Sequence, residues 1–198
     1  MAPIILCSIF AMIIIIEKLI YLKSITINVA VFKEKIFSLI KNNQIKEAIR
    51  LCDEATAPIA KVLRLGIIKF NASKTEMKES MEEANLVIIP ELENRLSALS
   101  TIAHIAPLLG LLGTVTGMIN CFHTIQVRTG ELTSVTTADL AGGIYEALLT
   151  TVAGLTVAIL TYLIYNYFVS RVDKIINEIN HASLELIDLS SGLSHTNL

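Results

Sequence analysis

Three long apolar runs set the plan of this chain. They are residues 1–22, residues 98–125 and residues 139–169. A helix needs about 20 apolar residues to cross the hydrocarbon core of a bilayer. Each run is therefore predicted to be a membrane-spanning helix.

The first run also resembles a signal peptide, because it begins next to the first methionine. However, no lysine or arginine precedes it and no small-x-small cleavage site follows it. A positive charge before the apolar run and a small-x-small site after it are both expected of a cleaved signal. Residues 1–22 are therefore interpreted as a retained span.

The region between the first two spans, residues 23–97, has the spacing of amphipathic helices rather than the alternation of strands. Pro58 is expected to begin one helix, since proline suits the first turn. Four residues of an earlier helix share one apolar face: Ile45, Ala48, Ile49 and Cys52. These patterns predict a small helical region.

A third helix of this region is expected to start after a cap at Ser73 or Thr75 and to continue into the second span. Pro90 should bend that helix or start a new one. Beyond the third span, an apolar stripe predicts that the last helix projects further: Val172, Ile175, Ile176, Ile179, Ala182, Leu186 and Leu189. The predicted fold class is all-α, an integral membrane protein with three spans and long helices that extend into the cytoplasm.

The distribution of lysine and arginine predicts the orientation in the lipid bilayer. Most of these residues lie in 23–97, and Arg171 and Lys174 directly follow the third span, whereas residues 126–138 contain a single arginine. Positive charge favours the cytoplasmic side. We therefore expect residues 23–97 and 170–198 to be cytoplasmic, and the N-terminus and the 126–138 loop to be periplasmic.

Composition argues against several other classes of function. The net charge is −2 and forms no basic cluster, so nucleic acid is not expected as a partner. The three cysteines and four histidines lack metal-ligand spacing, so no metal is expected. No motif pairs a nucleophile with a base, so we expect no catalytic residues, no enzyme activity and no cofactor.

The second span contains small residues at helical spacing. Gly110, Gly113, Thr114 and Gly117 follow the pattern i, i+3, i+4, i+7 and leave one face nearly bare. Small residues of this kind usually let membrane helices approach closely. Helix packing is the favoured interpretation for these glycines.

Three threonines leave two interpretations open. The hydroxyl of Thr114 can bond to its own helix or can face a hydrated passage, and Thr150 and Thr151 in the third span pose the same choice. From the residue alone, a structural role is favoured for Thr114, with an ion-pathway role as the alternative.

Glu146 is the most informative polar residue, because a charged side chain at the centre of a membrane helix costs roughly 2.5–3.5 kcal/mol. One interpretation places it near the outer end of the span, where it reaches the interface or pairs with Arg128. The other places it on a pore or bundle interior, with Thr150 one turn away on the same face. The second interpretation is favoured.

Two segments closely resemble signatures of the MotA/TolQ/ExbB proton-channel family. They are PLLGLLGTVTGMI at residues 107–119 in the second span and EALLTTVAGL at residues 146–155 in the third. Residues 3–8 with Glu17-Lys18-Leu19 are similar to the first span of the short ExbB-type biopolymer transport proteins. The resemblance covers nearly the whole chain.

The resemblance implies a homopentamer in the bacterial inner membrane, built around an ExbD- or TolR-like single-span subunit. Thr114 and Thr151 would be pore-facing hydroxyls, and Glu146 the acidic residue of the third span. The ion would be H⁺ or Na⁺, and work would pass to a TonB- or TolA-like protein. The expected helix-packing and pore-lining residues are Pro107, Gly110, Gly113, Gly117 and Gly154.

One departure and several alternatives accompany this expectation. Several relatives carry a proline soon after the third-span signature, where this chain has Leu160-Thr161, so the resemblance implies no kink at this point. A TolQ-type role in envelope maintenance shares the same motifs. A purely structural anchor and a self-sufficient channel or transporter are the remaining alternatives.

Overall fold

The computed structural model describes residues 1–25, 28–70, 72–130 and 137–196, and the side chains of all of these except 128–130, 137–140 and 192–196. Within these residues the secondary structure is entirely helical, as predicted. The helices are α1 (Ala2–Ile25), α2 (Val29–Lys41), α3 (Ile45–Glu54), α4 (Pro58–Ile68), α5 (Lys74–Glu93), α6 (Leu96–Gly130) and α7 (Thr137–Thr196).

Three stretches are long and apolar enough to cross a membrane: Ala2–Lys41, Lys74–Val127 and Ala141–Ser191. They overlap the three predicted spans over residues 2–22, 98–125 and 141–169. At 1.5 Å per residue, α6 is about 50 Å long and α7 about 90 Å, against about 30 Å for a hydrocarbon core. Both helices therefore extend well beyond any bilayer that they cross.

The chain divides into two compact units. Unit 1 comprises Met1–Glu17 and Arg95–Phe168, and thus holds most of α1, α6 and the first half of α7. Unit 2 comprises Lys18–Asn94 and Val169–Leu198, and thus holds the end of α1, α2 to α5 and the second half of α7.

Unit 2 is built from amphipathic helices around a core of large side chains. The helices expected from Ile45 and from Pro58 are confirmed as α3 and α4, whereas α2 had not been separately predicted. The stripe after the third span is buried at Val172, Ile179, Ala182 and Leu186. The largest fully buried side chains of unit 2 include Ile36, Leu63, Ile67, Met77, Met81 and Leu92.

The helix preceding the second span departs from expectation. It begins where predicted, with the Ser73 side chain accepting from the Glu76 amide at 3.2 Å, and it runs through Pro90. It does not continue into α6, however, because Asn94 and Arg95 interrupt it and Arg95 has a φ of 66°. The break follows the proline by four residues.

Lys18 satisfies the carbonyl groups that this break leaves free. Its ammonium group donates to the carbonyl oxygens of Leu92 at 2.5 Å and Asn94 at 3.0 Å. A cation at a helix C-terminus is also favoured by the helix dipole. Next to it in sequence, Glu17 forms an ion pair with Arg95. Both residues of this Glu-Lys pair therefore serve structure.

Candidate functional site

A polar groove between α6 and α7 of unit 1 is lined by Glu146, the carboxylate predicted to lie within the third span. Its volume is about 390 Å³, room for several water molecules at about 30 Å³ each. Its polar lining residues are Thr116, Asn120, Thr124, Glu146 and Thr150, and the others are Met1, Gly113, Gly117, Cys121, Gly143 and Ala147. We call this cavity the α6–α7 groove.

The polar lining follows from helical periodicity. Thr116, Asn120 and Thr124 are four residues apart on α6, and Glu146 and Thr150 are four apart on α7. Residues at this spacing lie on the same face of a helix. The two faces meet across the groove and form a polar strip within apolar helices.

Glu146 is exposed and makes no hydrogen bond or ion pair with any residue whose side chain the structure describes. The sequence offers Arg128 as an ion-pair partner of Glu146, but the structure does not describe the side chain of Arg128. A carboxylate of this kind is expensive in hydrocarbon. The groove gives it a polar surrounding in which it can be hydrated.

Glycines hold the two helices close together beside the groove. A Cβ added at Gly154 would lie 2.6 Å from the carbonyl oxygen of Ala106 and 2.9 Å from the Cα of Gly110. One added at Gly117 would lie 2.8 Å from the Cβ of Ala147, and one at Gly113 would collide with Thr150. Only a residue without a side chain permits this approach. We call this contact the glycine seam.

Two threonines hydrogen-bond across the glycine seam. The Thr151 hydroxyl donates to the carbonyl oxygen of Gly110 at 3.0 Å. The buried Thr150 hydroxyl donates to the carbonyl oxygen of Ala147 at 2.7 Å and approaches that of Gly110 at 3.4 Å. Because Gly110 has no side chain, its carbonyl is open to both hydroxyls.

The structure distributes the four predicted ion-pathway residues over different surfaces. Glu146 and Thr150 line the α6–α7 groove, whereas Thr114 and Thr151 are not among its lining residues. Thr114 is half-buried and donates to the carbonyl oxygen of Leu111 at 2.7 Å. It lies two residues from Thr116, which is about 200° around the helix at 100° per residue. Pro107, also half-buried, lies inside α6.

Sequence reasoning did not single out Thr116, Asn120 and Thr124. Their signal was available as three polar residues spaced by four within an apolar span. Thr116 donates to the carbonyl oxygen of Leu112 at 2.9 Å, and Thr124 to that of Asn120 at 2.9 Å. A hydroxyl that donates in this way can still accept hydrogen bonds. The groove side chains can therefore solvate a cation or water.

Comparison with known proteins identifies relatives of the chain. Residues 54–181 match the MotA/TolQ/ExbB proton channel family. A biopolymer transport protein ExbB homolog of Methanothermobacter thermautotrophicus is 31% identical over 176 residues, which are 87% of this chain. An ExbB-like biopolymer transport protein of Synechocystis is 31% identical over 166 residues, which are 84% of this chain.

The Tol-Pal system protein TolQ of Haemophilus influenzae is 35% identical over 115 residues, which are 57% of this chain and 49% of the relative. The chain spans 60% of the Methanothermobacter relative and 78% of the Synechocystis relative. The similarity to the Synechocystis relative thus extends over most of both proteins.

Proposed function

The chain belongs to the MotA/TolQ/ExbB proton channel family, and from this premise we propose that it is the channel-forming stator subunit of an ion-driven motor. In this proposal, ion flow down the electrochemical gradient of an inner membrane powers an outer-membrane import system of the TonB type. The translocated ion is H⁺ or Na⁺.

The α6–α7 groove is the observation that carries this proposal. It places Glu146 beside a strip of hydroxyl and amide groups, inside helices that are otherwise apolar. Ionisable groups within membrane helices usually mark ion pathways, because their burial in lipid is costly. We assign Glu146, Thr150, Thr116 and Asn120 to a hydrated approach for the cation.

The exposed apolar surface of unit 1 supports an assembly in the membrane. Lipid or neighbouring subunits must cover its large side chains, which include Leu108, Leu111, Leu112, Val115, Ile119, Leu148 and Val152. We propose a homopentamer whose second and third spans surround the single helix of an ExbD- or TolR-like subunit. Thr114 and Thr151 would then face that helix.

The mechanism depends on the cost of an unpaired charge in lipid. The partner helix contributes a carboxylate that is expensive to hold in hydrocarbon when it is ionised. A cation arriving through the pathway neutralises it and changes which of several equivalent subunit interfaces it prefers. The resulting step of the partner would pass work to a TonB- or TolA-like protein.

We infer an orientation with the N-terminus periplasmic and the C-terminus cytoplasmic. It rests on Arg171 and Lys174 directly after the third span, and on the positive charge of residues 23–97. Unit 2, with its core of large side chains, is then the cytoplasmic part.

A TolQ-type subunit of the envelope-maintenance Tol system is the second candidate. The similarity to the Haemophilus TolQ supports it. The two candidates share the same channel and differ in the protein that receives the work. Copurification with a TonB-like or a TolA-like protein would separate them.

The Glu146→Gln substitution tests the channel directly. A complex purified through a tag on this chain is reconstituted into liposomes, and H⁺ or Na⁺ uptake is driven by a potassium diffusion potential. We expect Glu146→Gln to reduce uptake at least about tenfold, since the carboxylate that attracts the cation is lost. Native mass spectrometry of the same complex should give five copies of the chain.

The matched control is Glu79→Gln, which removes an exposed carboxylate outside the predicted spans. Wild-type uptake in Glu146→Gln, with intact assembly, would exclude Glu146 from the ion pathway. Absence of uptake by the intact wild-type complex would favour the structural anchor. Full uptake by this chain alone would favour the self-sufficient channel.

A further inference from the structure

Unit 2 contains a second cavity, of about 150 Å³, whose lining combines apolar walls with charged groups. The charged residues are Arg171, Lys174 and Glu178 of α7. The remaining lining residues are Ile25, Val29, Ala57, Pro58, Ile59 and Ile175. We call it the juxtamembrane cavity.

Two independent markers place this cavity at the level of lipid headgroups. Arg171 follows the predicted end of the third span by two residues, and Ile25 follows the predicted end of the first by three. At 1.5 Å per residue, both lie about 3–5 Å beyond the predicted ends of their spans. Phospholipid headgroups occupy this layer of the bilayer.

The three charged groups have no partner within the part of the chain that the structure describes. Arg171, Lys174 and Glu178 make no ion pair or hydrogen bond there, although they share one face of α7. Elsewhere on α7, Glu185 does find a partner, since Lys33 binds it at 2.7 Å. Within the described residues, the cavity therefore has unpaired charges of both signs beside an apolar wall.

The order of these charges along α7 favours one class of headgroup. The two cations lie nearer the bilayer, and Glu178 lies about 6 Å beyond Lys174 along the helix axis. Basic pockets beside membrane helices recognise lipid phosphates. In an ethanolamine headgroup the phosphate is nearest the glycerol and the ammonium group is farther from the bilayer, which is the matching order.

The net charge argues against a strongly anionic lipid. Asp173 lies between the two cations in sequence, so residues 171–178 carry two positive and two negative charges. A headgroup with two or more negative charges would be repelled by Glu178. A zwitterionic headgroup with a hydrogen-bonding amine satisfies both ends of the cavity.

We propose that the juxtamembrane cavity binds the headgroup of an aminophospholipid of the phosphatidylethanolamine type. Arg171 and Lys174 hold its phosphate, Glu178 accepts hydrogen bonds from its ammonium group, and Ile25, Val29 and Ile175 contact its glycerol and upper acyl chains. This site does not depend on ion conduction.

Native mass spectrometry of the detergent-purified full chain tests the proposal, with phosphatidylethanolamine, phosphatidylglycerol and phosphatidylcholine supplied at equal concentration. We expect phosphatidylethanolamine to be retained over the other two. Arg171→Gln with Lys174→Gln should lower its retention at least about fivefold. Glu178→Gln should keep lipid binding but shift the preference toward phosphatidylglycerol.

The control is Lys69→Gln with Lys74→Gln, which removes two exposed cations that do not line the juxtamembrane cavity. Circular dichroism confirms that every variant is helical. Unchanged retention in the Arg171 and Lys174 double variant, or a wild-type preference for phosphatidylglycerol, would overturn the proposal. So would equal displacement by glycerophosphoethanolamine, which would assign the site to a soluble phosphate compound.

Discussion

The glycine seam of unit 1 and the core of unit 2 bury side chains of different size. Along the glycine seam of unit 1, the buried positions are small residues such as Ala106, Gly110, Ala147 and Gly154. In unit 2 they are large ones such as Leu63, Ile67, Met77, Met81 and Leu186. The solvent explains the difference. Water drives large apolar groups together, whereas lipid does not, so membrane helices gain mainly from close contact.

The same difference changes the expected cost of replacing a glycine by alanine. In unit 2, a Cβ at Gly66 would meet the flexible ends of Met81 and Leu186, at 2.7 and 2.9 Å. In unit 1, a Cβ at Gly154 would meet the backbone of Ala106 and Gly110. Side-chain ends can shift, but the backbone of a helix cannot shift without separating the helices. Substitutions can therefore test the comparison.

The largest effect is expected from Leu63→Ala, which leaves a void in the core of unit 2. Leu63 is fully buried, and a substitution of this kind lowers the free energy of unfolding by about 2–5 kcal/mol. Denaturant unfolding followed by circular dichroism measures it. Leu65→Ala on the same helix removes the same atoms from a side chain that is 37% exposed, and a comparable loss there would contradict the assignment of the core.

A smaller effect is expected from Gly154→Ala, because overpacking of this kind costs about 1–3 kcal/mol. The added methyl group should push α6 and α7 apart. It should also weaken the hydrogen bond from Thr151 to Gly110. Thermal unfolding in detergent and cross-linking between the two helices measure these changes.

Two alanine substitutions serve as controls for Gly154→Ala. Gly66→Ala should cost less, since only side-chain ends must move. Gly142→Ala should be nearly neutral, because nothing lies within 4 Å of the added atom. Equal losses in all three variants would mean that backbone contact is not what sets the cost.

The smallest expected effect is a pH dependence of stability that arises from Cys52 in the core of unit 2. Burial, with a further contribution from Asp53, raises the pKa of the Cys52 thiol from 9.0 to about 12. The fold therefore favours the neutral thiol. This contribution to stability is fully present below pH 9 and is lost as the pH rises toward 12.

Thiol labelling in a chain lacking Cys7 and Cys121 checks this expectation. The raised pKa lowers the thiolate fraction at neutral pH roughly a thousandfold. Cys52 should therefore react slowly with maleimide until the chain is unfolded. Lys46→Cys on the exposed face of α3, in a Cys52→Ser background, should react at once. Fast labelling of native Cys52 would show that this thiol is not buried.

Much of the architecture was predictable, because periodicity is local. The starts of α3, α4 and α5 follow from apolar spacing and from the caps and prolines that precede them. A bend or a new helix was predicted at Pro90, but the position of the break at Asn94 and Arg95 was not. The carbonyl groups at this break are satisfied by Lys18, which is 74 residues from Leu92 in sequence. No local pattern reports such a contact.

The residues of the candidate site were also only partly predictable from the sequence. The cost of a carboxylate in lipid made Glu146 a candidate without any structure. Thr116, Asn120 and Thr124 gained their significance only when α7 placed Glu146 opposite them. The roles of Thr114 and Thr151 in a pore remain predictions, because they depend on neighbouring subunits.

The helical class, the three apolar spans, the bare glycine face and the family follow from the amino-acid sequence, since each depends on local spacing or local motifs. Which helix faces meet depends instead on tertiary packing. It brought Glu146 to a polar groove, turned Thr151 toward Gly110, and set residues 25, 29 and 57–59 beside the charged face of α7 around one cavity. Those outcomes depend on contacts between residues far apart in the chain, whose free energies exist only after the helices have packed.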